Sequence, residues 1–420
     1  MMNRKPRILL IPNVSWWIIG EMGKQIIARF GFKYDFYFLP EMILDRRPDM
    51  LRALVPAMDA IHCLNESAIS LFRDFDQEEL PPIATWIHHV TAWSADHQMA
   101  VDRSSALTVC TQGWKEFLED RVSGRIPVTI ISHGVDAEFF QRRKVYPRQF
   151  GIPAGSFVIG FVGSKGSDFD SGRKGTDVLL DVVRQAAGRV PHLHVVLGGP
   201  GWDNELATLR ASGVSASTTG YIRKSDLPAL YSALDIYLLT SRVEGGPCTV
   251  FEAMACETAV VSTRVGAVPE LIVDGVNGYS ADVDDRESLL SAIIALDKFP
   301  EKKIEIAKNA RESVSRLSWA TVMGPLEDVY DELIQRRLGM GSPLPGPAWM
   351  NNSQNLLRVS CAADALLYVI PRIRNGSMSV AKGIKLLREM QSKRSISDIA
   401  RSAAMIKGWS FKTLPSTKKI

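Results

Sequence analysis

Two glutamates eight residues apart, Glu244 and Glu252 in Ser-Arg-Val-Glu-Gly-Gly-Pro-Cys-Thr-Val-Phe-Glu-Ala-Met-Ala, are spaced to hold hydroxyl groups. Glu244 sits in a Gly-Gly-Pro loop, whereas Glu252 falls on the apolar run that follows. That run, Cys248 to Ala255, reads as the opening turns of a buried helix with Pro247 just before it. A carboxylate in such a helix needs a partner, because an unpaired buried charge is expensive. Vicinal hydroxyls would serve. The first-turn N–H groups, those of Cys248 and Thr249 especially, are donors without intrahelical acceptors and favour a phosphate. Carboxylate and N–H groups together suit a nucleoside diphosphate with its ribose. Taken alone, the spacing fits a structural Glu bonded to backbone equally well.

The elements that would position this segment are short and alternate in type. Upstream, Leu227, Leu230 and Tyr231 at helical spacing lead into Ile236-Tyr237-Leu238-Leu239, a buried strand; downstream, Ala259 to Thr263 is another. Next come Gly266-Ala267-Val268-Pro269-Glu270 and Asp274-Gly275-Val276-Asn277-Gly278. The pattern predicts an α/β chain with a parallel sheet and helices on both faces, which places ligands at the carboxyl ends of strands. In the amino half, residues 7–12, 59–64, 83–88 and 106–110 read as strands of the same kind.

Cations lie at one strand end. Phe157 to Gly163 is a strand, followed by Ser164-Lys165-Gly166 and by Arg173-Lys174-Gly175-Thr176 at a helix start. A solvated basic loop is the ordinary account of such a cluster, but its place at a strand end favours phosphate. Gly166 to Lys174 does not spell a P-loop, and Leu197-Gly198-Gly199-Pro200-Gly201 lacks dinucleotide-binding spacing. Neither a kinase nor a dehydrogenase is indicated.

From about residue 7 to 335 the chain resembles the retaining nucleotide-sugar glycosyltransferases of the GT-B fold, glycosyltransferase family 4 (glycosyl transferases group 1). The resemblance rests on the two-glutamate segment with Glu-Ala-Met-Ala, on Val-Gly-Ala-Val-Pro-Glu and on Asp-Gly-Val-Asn-Gly, and is stronger in the carboxyl half. It implies two Rossmann-like domains facing each other across a cleft: 1–147 for the acceptor and 148–325 for the donor. Residues 326–338 would be a helix crossing back to the first domain, 339–355 a Pro/Gly linker, and 356–420 a basic helical extension. It further implies that Lys174, with Arg173 or Lys165, neutralises the donor diphosphate. Ser164 stands where the family has Arg. Glu244 and the Gly246 loop would orient the donor sugar, Glu252 would hold the ribose, and Cys248 and Thr249 would offer N–H groups to the phosphates.

On the acceptor side, the resemblance points to a histidine facing the donor sugar, with His88 in better register than His89. An ordinary core or exposed histidine pair fits the sequence as well. Trp16 and Gly20 mark the first strand-to-helix turn, which lacks the family's paired glycines; Trp16, Trp17, Trp86 and Trp93 suit either a sugar-contacting wall or core packing. The donor would be UDP- or GDP-linked, the acceptor a glycan or lipid-linked glycan. Configuration would be retained, with the departing phosphate taking the acceptor proton. No cofactor and no metal are expected, since no Asp-x-Asp motif lies near the donor segment.

Composition agrees. A chain of 420 residues accommodates two ordinary domains and an extension, and its 46% hydrophobic and 23% charged residues are those of a globular protein. Cysteines 63, 110, 248, 256 and 361 show no metal or redox spacing, which suggests reduced cytoplasmic thiols. No stretch reaches membrane-spanning length. Residues 371–420 hold twelve Lys or Arg against Glu389 and Asp398, a balance of +10 in a chain whose total is +4, leaving −6 elsewhere. Apolar residues interleave these cations, so the tail suits an anionic membrane at its inner face, or equally a solvated appendage or oligomer contact. Nucleic acid is not expected. A GT-B nucleotide-sugar epimerase and a catalytically silent nucleotide-sugar-binding scaffold remain alternative readings.

Overall fold

The computed structural model describes residues 4–15, 18–165, 172–341 and 343–346. Trp16 and the basic extension 356–420 therefore lie outside the described residues.

Twelve strands form among the described residues: β1 Arg7–Ile11, β2 Asp35–Phe38, β3 Ala60–Cys63, β4 Ile83–Ile87, β5 Ala106–Val109, β6 Val128–Ile130, β7 Phe157–Val162, β8 Leu193–Gly198, β9 Ser215–Gly220, β10 Ile236–Leu239, β11 Ala259–Thr263 and β12 Tyr279–Ala281. They make two parallel sheets in the orders β2-β1-β3-β4-β5-β6 and β12-β11-β10-β7-β8-β9. Central strands are mostly apolar because both faces are covered: every residue of β4, β10 and β11 is buried. On β1, Ile8 and Leu10 enter one core and Leu9 and Ile11 the other, as a pleat of period two requires.

Helices supply the covering layers. In the helix Thr176–Ala187, the buried residues Val178, Leu179, Val182, Val183 and Ala186 form one stripe. Fully burying each of its larger aliphatic side chains contributes about 1.5–3 kcal/mol. The helix Leu326–Gly339 packs on the first sheet, not the second: Leu326, Val329, Tyr330, Leu333 and Ile334 share a core with Ile8, Leu10 and Trp86. The Tyr330 hydroxyl and His62 Nδ1 are hydrogen-bonded at 2.9 Å, and Tyr34 and Lys33 both reach Asp331 at 2.7 Å.

The chain order reverses between β1 and β3 in the first sheet and between β7 and β10 in the second, and such switch points open crevices at strand carboxyl ends. Those ends face each other across the two sheets. Trp114, beyond β5, donates its indole N–H to the Glu244 carbonyl beyond β10 at 3.0 Å, and the Gln112 N–H reaches Glu270 Oε1 beyond β11 at 2.8 Å. This is the facing α/β arrangement of GT-B glycosyltransferases.

Candidate functional site

Glu244 is buried, and three groups converge on its carboxylate. Lys174 Nζ lies 2.6 Å from Oε1, Arg173 Nη1 3.1 Å from Oε2, and the Ser241 hydroxyl donates to Oε1 at 2.8 Å. Burial alone would raise this carboxyl's pKa; Lys174 and Arg173 beside it hold it below the ordinary value. The cations arrive there through one backbone device. Gly175 takes φ +59° at the start of its helix, and a Cβ there would collide with the Thr240 carbonyl. Thr240 in turn donates its hydroxyl to the carbonyls of Lys174 and Gly175 at 3.1 and 3.0 Å. The Lys-Gly pair at the helix start is thus stitched to the end of β10, bringing two cations against a carboxylate about seventy residues away.

The helix Cys248–Ala255 begins four residues after Glu244, and no side chain caps it. Its first-turn N–H groups, including those of Cys248 and Thr249, have no intrahelical acceptor. Glu252 lies partly buried one turn further along, where the Tyr231 hydroxyl donates to Oε2 at 2.7 Å. Burial raises its pKa to about 7, with Tyr231 and Lys224 pulling the other way. The Thr249 hydroxyl accepts from Tyr237 at 2.6 Å. Both glutamates therefore keep hydrogen-bonding capacity beside cations or N–H dipoles, an arrangement able to bind a phosphorylated polyol.

Two residues singled out from the sequence make contacts of their own within the protein. His88, favoured as the histidine facing the donor sugar, turns into the seam instead. Its Nε2 donates to the Leu64 carbonyl at 2.8 Å, and its Nδ1 lies 3.6 Å from Cys110 Sγ. His89 is the one in the field of Arg173, Glu244 and Lys174; burial lowers its pKa to about 4, with Arg173 adding to the effect. The cause is parity, since successive residues at a strand end point to opposite sides. Lys165, offered as a diphosphate contact, pairs instead with buried Glu205, whose charge needs a partner, and lies over the Trp202 ring. Gly20 is buried in the first turn of the helix Ile18–Phe30, against the Ser15 carbonyl and just beyond β1.

Sequence reasoning did not assign Ser241, Tyr231, Tyr237 or Trp114 to the site. Ser241, three residues before Glu244, carried a local signal; the other three reach it only through tertiary packing. Gly245 and Gly246 belong to the same loop. A Cβ on either would collide with the His88 carbonyl or the His133 ring, so the glycines let this loop lie directly against the first sheet.

Residues 156–298 match the family model described as glycosyl transferases group 1. The chain carries a glycosyl transferase group 1 domain. This domain spans β7 to β12 and contains Arg173, Lys174, Glu244 and Glu252. A D-inositol 3-phosphate glycosyltransferase of Corynebacterium kroppenstedtii is 29% identical over 260 residues, covering 57% of this chain and 56% of that protein. The chain therefore spans little more than half of that relative. The Corynebacterium efficiens protein of the same name is 28% identical, covering 76% of each. HepE of Anabaena, solved with UDP, superposes with a TM-score of 0.63 at 18% identity over 78% of this chain and all of that one. Sucrose-phosphate synthase from Thermosynechococcus elongatus gives 0.66 at 16% identity over 79% of this chain and all of that one. These likenesses establish the fold on both sides of the group 1 domain.

Proposed function

We propose that the chain transfers a sugar from a nucleoside diphosphate sugar to a hydroxyl acceptor with retention of configuration, without a metal cofactor, in the assembly of a polysaccharide or lipid-linked glycan. The observation that carries this reading is Glu244 held between Lys174 and Arg173, beside the uncapped helix that bears Glu252. The group 1 match and relatives that are named glycosyltransferases support it. The likeness to a structure solved with UDP-glucose makes UDP the first donor nucleotide to test, with GDP second.

In this reading the incoming diphosphate draws Lys174 and Arg173 away from Glu244, freeing its carboxylate to accept from the sugar hydroxyls. The bond from the anomeric carbon to the phosphate oxygen breaks, and negative charge gathers on the diphosphate. Lys174, Arg173 and the N–H groups of Cys248 and Thr249 stabilise that charge where it develops. The acceptor oxygen bonds the anomeric carbon from the same face, and its proton passes to the departing phosphate oxygen. Glu252 accepts from the ribose hydroxyls. His89 borders the sugar from the first sheet, with Gly20 at the acceptor-side turn. The cationic segment 371–420 docks the protein on an anionic cytoplasmic membrane surface.

The test is nucleotide release from UDP- and GDP-sugars, with and without sugar acceptors, by wild type, Lys174→Ala and Glu252→Ala. Release should depend on acceptor and fall at least about tenfold in each variant, equivalent to about 1.4 kcal/mol of lost transition-state binding. Equal release by all three proteins would refute the assignment, and turnover of donor without any acceptor would favour an epimerase.

A further inference from the structure

We propose that His88, Cys110 and His133 form a three-ligand site for a soft d10 metal ion, Zn2+ or Cu+, in the seam between the two sheets. The three residues stand at the carboxyl ends of adjacent strands: His88 just after β4, Cys110 just after β5 and His133 shortly after β6. Parallel neighbours bring these ends together although the residues lie 22 and 23 positions apart, which is why cysteine spacing alone suggests no metal. All three are buried, and one ligand atom from each lies within 4.8 Å of the others.

The distances suit coordination. Cys110 Sγ is 3.6 Å from His88 Nδ1 and 3.9 Å from His133 Nε2. A tetrahedral ion with metal–sulfur and metal–nitrogen bonds of about 2.3 and 2.05 Å separates sulfur and nitrogen ligands by about 3.6 Å. Orientation suits it too. His88 Nε2 is occupied by the Leu64 carbonyl, and His133 Nδ1 donates to the Gly246 carbonyl. Each backbone acceptor fixes the proton on the outer nitrogen and leaves the lone pair of the inner one directed at the sulfur, the usual outer-shell arrangement of metal-bound histidines. A thiol has one proton and can satisfy only one of two facing lone pairs. A metal thiolate satisfies both.

The donor set also limits the ion. One thiolate and two neutral imidazoles match soft d10 ions and not Mg2+ or Ca2+, which prefer oxygen. Cu+ gives a neutral three-coordinate centre; Zn2+ requires a fourth ligand and leaves a positive charge to be compensated. Because His133 also bonds Gly246, the ion would fasten the ends of three first-sheet strands to the loop that carries Glu244. This inference is independent of the glycosyl-transfer reading, and its test reads metal and not turnover.

The full-length reduced protein is loaded separately with Zn2+ and Cu+, washed with a weak chelator and assayed for metal by inductively coupled plasma mass spectrometry. Wild type should retain one of these ions stoichiometrically, and the retained ion identifies the site's metal. Cys110→Ala and His133→Gln should lose it, while Cys256→Ser, a buried thiol outside the cluster, should keep it. X-ray absorption on loaded wild type should show sulfur and nitrogen in the first coordination shell, and it decides the matter if a ligand variant fails to fold. Retention of neither ion, equal retention by folded Cys110→Ala, or a shell without sulfur would overturn the proposal.

Discussion

Glu244 and Glu252 differ in environment more than their shared residue type suggests. Glu244 is charged and held by Lys174 and Arg173, whereas Glu252 meets a tyrosine hydroxyl and burial drives its pKa up to about 7 from 4.5. Between these pH values the folded chain keeps a proton that the unfolded chain has released, so this group's contribution to stability falls as pH rises from 4.5 to 7. The effect is on the order of 2 kcal/mol for a partly buried carboxyl. Glu252→Gln keeps an acceptor for Tyr231 without the charge. Urea denaturation across this pH range should show the variant gaining on wild type as pH rises, while its affinity for nucleotide drops. A constant difference across the range would contradict a Glu252 carboxyl whose pKa is raised by burial. At this scale the sequence was readable where position is local: Arg173, Lys174 and Glu244 lie in strand-to-helix turns with glycine beside them, and Glu252 lies within the helix that follows. It was unreadable where a contact depends on packing, as with Tyr231 and Trp114, or on strand parity, as with His88 and His89.

Among the elements, the turn from Arg173 to Gly175 does the most to assemble the site, because its backbone, held by the Thr240 hydroxyl, places two cations against Glu244. Gly175→Ala places a Cβ in a left-handed conformation and against the Thr240 carbonyl. It should destabilise the fold by about 1–3 kcal/mol and move Lys174 off Glu244, so donor turnover should fall more than stability alone explains. Thermal unfolding together with donor turnover measures both, and unchanged turnover would remove this turn from the site. The buried central strands were legible because parallel strands covered on both faces are nearly continuous apolar runs, as in Ile-Ala-Thr-Trp-Ile of β4 and Ile-Tyr-Leu-Leu of β10. The edge strand β9, Ser-Ala-Ser-Thr-Thr-Gly, has no such run, being only partly covered, and it escapes a reading based on hydrophobic pattern.

Across the whole molecule, the two sheets present their strand ends to each other, so a ligand bound at Glu244 also meets residues of the first sheet. The alternation of strands and helices made this α/β arrangement legible; the contacts across the seam, from Trp114 and Gln112 to the Glu244 and Glu270 loops, were not. Charge is divided as unevenly as structure, with +10 in residues 371–420 against −6 in the rest. Replacing half of those Lys and Arg residues by Gln in the full chain should abolish sedimentation with phosphatidylserine vesicles and leave turnover of a soluble acceptor unchanged. Binding that persists would locate membrane contact elsewhere. In the proposed function, one site divides its work between a diphosphate cradle and a ribose clamp. The most direct measurement is calorimetric titration of wild type, Lys174→Ala and Glu252→Ala with the preferred nucleoside diphosphate and its 2′-deoxy analogue. Lys174→Ala should weaken both ligands yet keep the preference for ribose, whereas Glu252→Ala should lose that preference. Retention of the full ribose preference by Glu252→Ala, or undiminished affinity in Lys174→Ala, would contradict this division of work.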